Sequence, residues 1–261
     1  MHKLKYILSI LILVTAAVAH GATGTAVTYE VDDQSYEGYY VSPADRAPLV
    51  LLIHDWDGLT DYEIKRSHML ADLGYAVFAM DLFGAGVRPT EVNDKRQHTG
   101  ELYKNRGKMR ALMTSALKTA RDRGADVGNA VAVGYCFGGA AVLEWARSGS
   151  ELKGFVTFHG GLKTPEGQDY SRAQGNILIM HGTADSAITM NQFAELAKEL
   201  EVAGNQHARI TFRGGHEALT PFWGRPPPEG ADIKERGGRS GVFSPHPKKK
   251  EKKTPQKRVV L

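Results

Sequence analysis

The sequence of 261 residues contains a single cysteine, Cys136. One thiol cannot form an intramolecular disulfide, so the disulfide-stapled frameworks of small secreted proteins are excluded. A lone cysteine is either a small buried apolar side chain or a reactive thiol. The residues around it in the sequence have to distinguish the two.

Long apolar runs are also scarce. The most apolar stretch, residues 7–14, follows Lys3 and Lys5 and is followed by the small residues Ala17-Val18-Ala19. It is shorter than the ~20 residues that a helix needs to cross a bilayer. A basic start, a short apolar region and an A-x-A site predict a secretory signal peptide over residues 1–19. We therefore expect an exported protein, periplasmic or secreted, with no transmembrane anchor after cleavage.

Motifs for bound cofactors are missing as well. The glycine-rich stretch Leu82-Phe-Gly-Ala-Gly-Val is too short for a dinucleotide fingerprint and fits an active-site loop better. His54, His159 and His181 each lie at the end of a predicted strand, where a three-histidine metal site is conceivable. No His-x-x-x-His spacing supports such a site, and histidines at strand ends more often form local hydrogen bonds. We predict no metal and no cofactor.

Positive charge is concentrated at one end of the chain. From Arg225 onward there are 11 Lys and Arg against 4 Asp and Glu, a net charge of +7 in a chain whose total is +4. This segment is rich in proline, glycine and lysine and has no apolar periodicity, which predicts a disordered tail over residues 225–261. A basic tail can bind nucleic acid or an anionic membrane. A solvated end is the simpler interpretation, and we expect no dedicated nucleic-acid site.

Between residues 24 and 224 short apolar runs alternate with helical segments. The middle runs are apolar without alternation, as in parallel strands that are buried on both faces. The first two runs have no helix between them and predict an antiparallel edge. We therefore predict one α/β domain with a mostly parallel central sheet flanked by helices. The predicted strands are residues 26–31, 39–42, 48–54, 76–81, 130–135, 155–159, 177–181 and 208–212, and the predicted helices are 62–73, 101–123, 137–147 and 190–202.

One motif carries the chemistry of this domain. Gly134-Tyr-Cys136-Phe-Gly138 lies between a predicted strand and a predicted helix, which is the pattern of a nucleophile elbow with cysteine in place of serine. The positive end of the helix dipole near Phe137 favours thiolate over thiol. We therefore expect Cys136 to be a nucleophile with a lowered pKa. A buried structural cysteine is the alternative.

A nucleophile of this kind needs a base and a group that orients the base. Asp185 follows one late strand and His216 follows the next, in the order that these folds use. The alternatives are a turn or capping role for Asp185 and a surface-loop role for His216. His207 is the next candidate for the base.

These motifs resemble the dienelactone hydrolase family over roughly residues 26–220. The most specific match is Gly-Tyr-Cys-Phe-Gly-Gly, and His54-Asp-Trp-Asp-Gly-Leu and Thr157-Phe-His-Gly-Gly-Leu also match. The resemblance implies an α/β-hydrolase fold and a Cys136–His216–Asp185 triad that cleaves a small ester or lactone without a metal. It further implies an oxyanion hole formed by the backbone N–H groups of Trp56 and Phe137. Asp55 stands where the family often has a glutamate close to the resting thiol.

The sequence departs from the family in two places. Tyr103-Lys104 is preceded by Thr99-Gly-Glu-Leu, without the arginine that binds a substrate carboxylate in the family's namesakes. The family's closing C-terminal helix is also missing from the sequence. Two other functions therefore remain open. One is a non-catalytic binding protein that has lost a productive His216 loop, and the other is a metal- or redox-responsive protein that uses Cys136.

Overall fold

The structure, a computed structural model, describes residues 22–215 and the two-residue strand Lys234–Glu235. The predicted signal peptide, His216 and the rest of the predicted tail lie outside the described residues, so the predictions made for them remain predictions. In the part of the chain that the structure describes, no helix is both long enough and apolar enough to cross a membrane.

A single mixed sheet forms the centre of the domain. Its strands are β1 (Gly24–Val31), β2 (Gln34–Val41), β3 (Pro48–Ile53), β4 (Ala76–Met80), β5 (Asp126–Tyr135), β6 (Gly154–Phe158), β7 (Asn176–Gly182), β8 (His207–Phe212) and β9 (Lys234–Glu235). Their order in space is β1-β2-β4-β3-β5-β6-β7-β8-β9. From β4 to β8 in this order all neighbours pair in parallel. The predicted α/β fold is confirmed, and each predicted strand is present.

The N-terminal edge of the sheet is antiparallel. β1 pairs with β2, and β2 pairs with β4, both antiparallel. Asp32 and Asp33 connect β1 to β2 with φ angles of 50° and 58°. Two consecutive residues with positive φ fit the tight turn that suits the twist of a hairpin, and Asp tolerates this region better than most residues. The predicted antiparallel edge is confirmed.

The opposite edge of the sheet ends in β9, which pairs antiparallel with Ile210 and Thr211 of β8. Lys234–Glu235 therefore adds a short strand from within the segment that was expected to be disordered. The predicted domain boundary after residue 224 remains a prediction.

Five helices cover the two faces of the sheet in the described chain. They are α1 (Asp61–Ala71), α2 (Val92–Lys104), α3 (Arg106–Asp122), α4 (Phe137–Arg147) and α5 (Met190–Val202). The single helix predicted over residues 101–123 is wrong, because the chain breaks at Asn105 into α2 and α3. The Asn105 side chain accepts a hydrogen bond from the Lys108 N–H at 3.0 Å and so caps α3. Asparagine prefers such caps to helix interiors.

The core lies on both faces of the sheet. In β3 the side chains of Leu49, Leu51 and Ile53 enter one apolar cluster, while Val50 and Leu52 enter the other. All five are at most 4% exposed. Burial on both faces explains why the sequence of this strand is continuously apolar.

Helix α4 follows Cys136 directly, and all 11 of its residues are buried. Glu144 lies in this helix with no exposed surface and forms ion pairs with three arginines. Its carboxylate oxygens lie 2.9 Å from Arg106, 2.6 Å from Arg110 and 3.0 Å from Arg147. Burial alone would raise the pKa of Glu144, but the bonds from Arg147 and Arg110 outweigh it and hold the pKa low. Because Arg106 and Arg110 belong to α3, these ion pairs connect α4 to α3.

Candidate active site

Cys136 occupies a sharp turn between β5 and α4 at the carboxyl end of the sheet. Its φ of 49° and ψ of −111° are strained for a residue with a side chain. Side chains at positions 134 and 138 would collide with backbone: a Cβ on Gly134 would meet the Gly138 carbonyl, and one on Gly138 would meet the Ile53 and His54 carbonyls. The turn is held by the Cys136 N–H, which donates to the Phe158 carbonyl at 3.0 Å. This is the geometry that the elbow motif predicts.

The surroundings of Cys136 favour the protonated thiol. Burial raises the pKa of Cys136 well above its usual range, and the Asp55 carboxylate, which shares a hydrogen bond with the thiol, raises it further. The Phe137 N–H donates to the sulfur and acts in the opposite direction, but it is outweighed. The expected lowering of the thiol pKa by the helix terminus is therefore wrong for this arrangement, because burial and the neighbouring carboxylate have the larger effect.

Asp55 contacts both the Cys136 thiol and one of the expected oxyanion donors. Its Oδ1 accepts a hydrogen bond from the Trp56 N–H at 2.6 Å, while the carboxyl group also bonds to the Cys136 thiol. The other expected donor, the Phe137 N–H, bonds to the sulfur. The structure thus brings Asp55, Trp56, Cys136 and Phe137 together, and in the resting site both N–H groups have partners.

Replacing Asp55 by asparagine should lower the pKa of Cys136 and speed its alkylation by iodoacetamide at neutral pH by about tenfold. The substitution removes the negative charge beside the thiol, and the asparagine Oδ1 can still accept from the Trp56 N–H. The measurement is the alkylation rate by mass spectrometry as a function of pH. The matched control is Asp57→Asn in the same loop, which should leave the rate close to wild type. Slower or unchanged labelling in Asp55→Asn would contradict this account of the thiol.

Asp185 lies in the turn after β7 and is 7% exposed. Its Oδ1 accepts hydrogen bonds from the Ala187 and Ile188 N–H groups, each at 2.9 Å. These bonds fix the carboxylate in a turn, and its charge is close enough to raise the pKa of Cys136. Asp185 therefore stabilises the turn and also lies near Cys136.

The loop that leads to His216 is bonded to the same turn. The Thr183 N–H donates to the Phe212 carbonyl at 2.9 Å, and the Ala184 N–H donates to the Gly214 carbonyl at 2.8 Å. The chain is thus held against the Asp185 turn up to the last residues before His216. His216 itself lies outside the described residues, so its role as base remains a prediction.

Two of the strand-end histidines, His54 and His181, form local hydrogen bonds. The His54 Nδ1–H donates to the Asp55 carbonyl at 2.5 Å, its Nε2 accepts from the Leu82 N–H at 3.1 Å, and burial lowers its pKa. His181 Nε2 bonds to the Ile188 carbonyl at 2.7 Å. His207, the alternative base, starts β8 opposite Ile177 and therefore lies at the amino end of the sheet, away from Cys136. Within the described ranges, no group of three or more His, Cys, Asp or Glu side chains could hold a metal ion.

Helix α2 adds residues that the sequence reasoning missed. The Lys95 ammonium lies 5.3 Å from the Trp56 ring, and the Tyr103 ring lies 5.6 Å from that of Phe137. His98 stacks at 5.2 Å on Phe83, which in turn contacts Phe137. Helix α2 therefore covers both residues that carry the expected oxyanion donors. Only the partial apolar periodicity of residues 92–104 could have indicated this helix.

A cavity of about 710 Å³ opens beside Asp55 on the side of β2 and α1. This volume is within the range of small-molecule sites. Its lining includes Tyr39, Asp57, Leu59, Tyr62 and Arg88. The lining includes neither Cys136 nor Trp56 nor Phe137, so this cavity borders the thiol site only through Asp55.

The family model and the similar solved structures both point to the same protein family. The sequence model of the dienelactone hydrolase family matches residues 36–220. A solved dienelactone hydrolase-like promiscuous phosphotriesterase from metagenomic libraries is 27% identical, with a TM-score of 0.69 over 75% of this chain and 82% of that chain. A structure called m3DLH is 26% identical, with a TM-score of 0.73 over 83% and 92% of the two chains. A comparison with curated proteins found no significant match.

Proposed function

Because the chain belongs to the dienelactone hydrolase family and is a carboxylic-ester hydrolase, we propose that it cleaves a small ester or lactone through a Cys136–His216–Asp185 triad. The observation that carries the proposal is the position of Cys136 on the strained elbow, with its sulfur between the Asp55 carboxyl group and the Phe137 N–H. An intact elbow also favours an enzyme over a decayed binding protein.

The reaction has two steps. His216 takes the thiol proton, and the Cys136 sulfur bonds to the carbonyl carbon. The carbonyl oxygen becomes an oxyanion that accepts hydrogen bonds from the Trp56 and Phe137 N–H groups. The C–O bond then breaks, the leaving alcohol takes the proton from His216, and an acyl-thioester remains on Cys136. Water, activated by His216, cleaves the thioester and restores the thiol.

The proposed reaction requires two hydrogen bonds of the resting site to break. The Trp56 N–H has to leave Asp55 Oδ1, and the Phe137 N–H has to leave the sulfur, before they can bind an oxyanion. The sulfur must also lose a proton that burial and Asp55 stabilise. Asp55 therefore keeps the thiol protonated between turnovers and has to shift when substrate enters. Asp185 orients His216 while its Oδ1 remains bonded to the turn.

We also propose that the protein acts outside the cytoplasm after removal of residues 1–19. The support is the pattern of Lys3 and Lys5, a short apolar run and Ala17-Val18-Ala19.

The acyl-thioester can be trapped directly. Wild-type protein mixed with 4-nitrophenyl acetate and quenched in acid should carry one acetyl group on the peptide that contains Cys136, because the chain has no other thiol. The acetyl group should disappear once the ester is consumed. Protein that was alkylated with iodoacetamide beforehand is the control and should neither acetylate nor turn over. Sustained turnover by the alkylated protein would refute the proposal.

A further inference from the structure

The two faces of the central sheet are covered unequally. The large buried apolar residues of α2, α3, α4 and α5 belong to the apolar cluster on one face. On the other face α1 packs on β2, β3 and β4, and it reaches the end of β5 through Tyr62, whose ring lies 5.6 Å from that of Tyr135. Within residues 22–215, this second face therefore carries no helix over β6, β7 and β8.

Apolar side chains of these strands differ in exposure between the two faces. Phe155, Ile177 and Ile179 point to the well-covered face and are at most 1% exposed. The apolar side chains on the opposite side of the same part of the sheet are only partly buried. They form the half-buried face, which consists of Val131, Val133, Val156, Leu178, Ile210 and Phe212. A contiguous apolar surface that is open to solvent indicates a place where another segment or molecule docks.

One segment of the same chain has both ends fixed beside this face. The chain leaves β8 through Gly214, whose carbonyl accepts a hydrogen bond from the Ala184 N–H at 2.8 Å. It returns as β9, where Lys234 pairs with Thr211 of β8. Residues 216–233 connect these two points and lie outside the described residues. The segment therefore starts and ends at the strand that carries two members of the half-buried face.

The first part of this segment is rich in apolar residues. Residues 216–224 contain four apolar residues in nine, whereas residues 225–261 contain seven in 37 and carry a net charge of +7. Phe222 comes seven residues after Gly215, which gives an extended chain a reach of about 24 Å. Neighbouring strands are about 4.8 Å apart, so this reach includes β7, β6 and β5. The four apolar residues are Ala218, Leu219, Phe222 and Trp223.

We propose that residues 219–223 of this chain dock on the half-buried face, with Phe222 and Trp223 as the apolar anchors. Each aromatic side chain can bury on the order of 200 Å². The attachment at both ends gives this segment a higher local concentration than a second copy or a separate protein would have. Docking also fixes the chain three residues after His216 and so holds that side chain near the Asp185 turn. This last consequence rests on the proposed function, whereas the docking itself does not.

Fluorescence can detect the docked segment without any turnover. In the Cys136→Ala background, which has no other thiol, Leu178→Cys is labelled with bimane, a fluorophore that tryptophan quenches on contact. The label should be quenched, and adding Trp223→Phe should restore its emission. The matched control is a label on Lys198→Cys, at an exposed position of α5 over the well-covered face, which Trp223→Phe should leave unchanged. Equal emission of the Leu178→Cys label with and without Trp223 would overturn the proposal.

Unlabelled protein gives an independent measurement. The wild type should be a monomer that binds little of the dye anilinonaphthalene sulfonate, and Phe222→Ser/Trp223→Ser should bind more of it because its half-buried face is uncovered. Equal dye binding by the two proteins would show that this face is open to solvent or to a separate partner. A wild-type dimer that survives the substitutions would show that a second copy covers it. Either result would overturn the proposal.

The effect on His216 is tested separately. Phe222→Ser/Trp223→Ser should lower kcat for 4-nitrophenyl acetate by about tenfold, because the base is no longer held in place. The alkylation rate of Cys136 should not change, since burial and Asp55 set the pKa of its thiol. Phe243→Ser, the same change beyond β9, is the control and should keep the wild-type kcat. An unchanged kcat in the double variant would refute the positioning of His216. If the wild type has no esterase activity, the proposed function fails, and the two fluorescence measurements still decide the docking.

Discussion

With alanine in place of Cys136, hydrolysis of an activated ester should fall to the uncatalysed rate. The substitution removes the only thiol of the chain, and with it the atom that would form the acyl-enzyme. In hydrolases of this type, removal of the nucleophile costs on the order of 10⁵-fold or more in rate. The measurement is release of 4-nitrophenolate from 4-nitrophenyl acetate by the purified variant and the wild type.

Two further substitutions at position 136 separate chemistry from folding. Cys136→Ser keeps an oxygen nucleophile on the elbow and should retain a small fraction of the activity. Cys136→Gly should be as inactive as the alanine variant but should unfold at a higher temperature, because glycine adopts a φ of 49° without strain. Turnover by Cys136→Ala at the wild-type rate would refute the thiol mechanism.

Substitution of His216 by alanine should lower kcat by several orders of magnitude, about 10³-fold to 10⁵-fold. The reason is that the Cys136 thiol holds its proton. Burial and Asp55 keep Cys136 protonated, so the reaction needs a base that takes the proton as the sulfur attacks. The measurement is the pH dependence of kcat/KM, and the variant should recover part of its rate at high pH, where hydroxide can deprotonate the thiol.

The structure supplies two controls for the histidine. His207→Ala should be close to wild type, because His207 lies at the amino end of β8 and bonds to the Asn205 carbonyl. Asp185→Asn should lose less rate than His216→Ala, since the asparagine Oδ1 can still accept from the Ala187 and Ile188 N–H groups. Near-normal activity of His216→Ala would show that another group is the base.

Helix α2 shows where prediction from the sequence fails. Residues 92–100 are mostly polar, and only Thr99 and Leu102 of the helix are buried, so no apolar stripe indicated its start. The predicted helix then ran through Asn105, because a cap inside a helical pattern has no apolar signature. As a result Lys95 and His98 were not assigned to the site, although they contact its aromatic residues.

The sequence by itself determined the α/β fold, the antiparallel edge and the elbow around Cys136. These features depend on local patterns: continuous apolar strands, a two-residue turn, and glycines where backbone segments meet. Only the tertiary structure decided the direction in which the pKa of the Cys136 thiol is shifted. Its pKa depends on burial and on the charge of Asp55, which is 81 positions away in the chain. The local sequence predicted a lowered pKa instead. The N-terminus of α4 is next to Cys136 in the sequence, whereas the Asp55 carboxylate is close to it only in the folded structure.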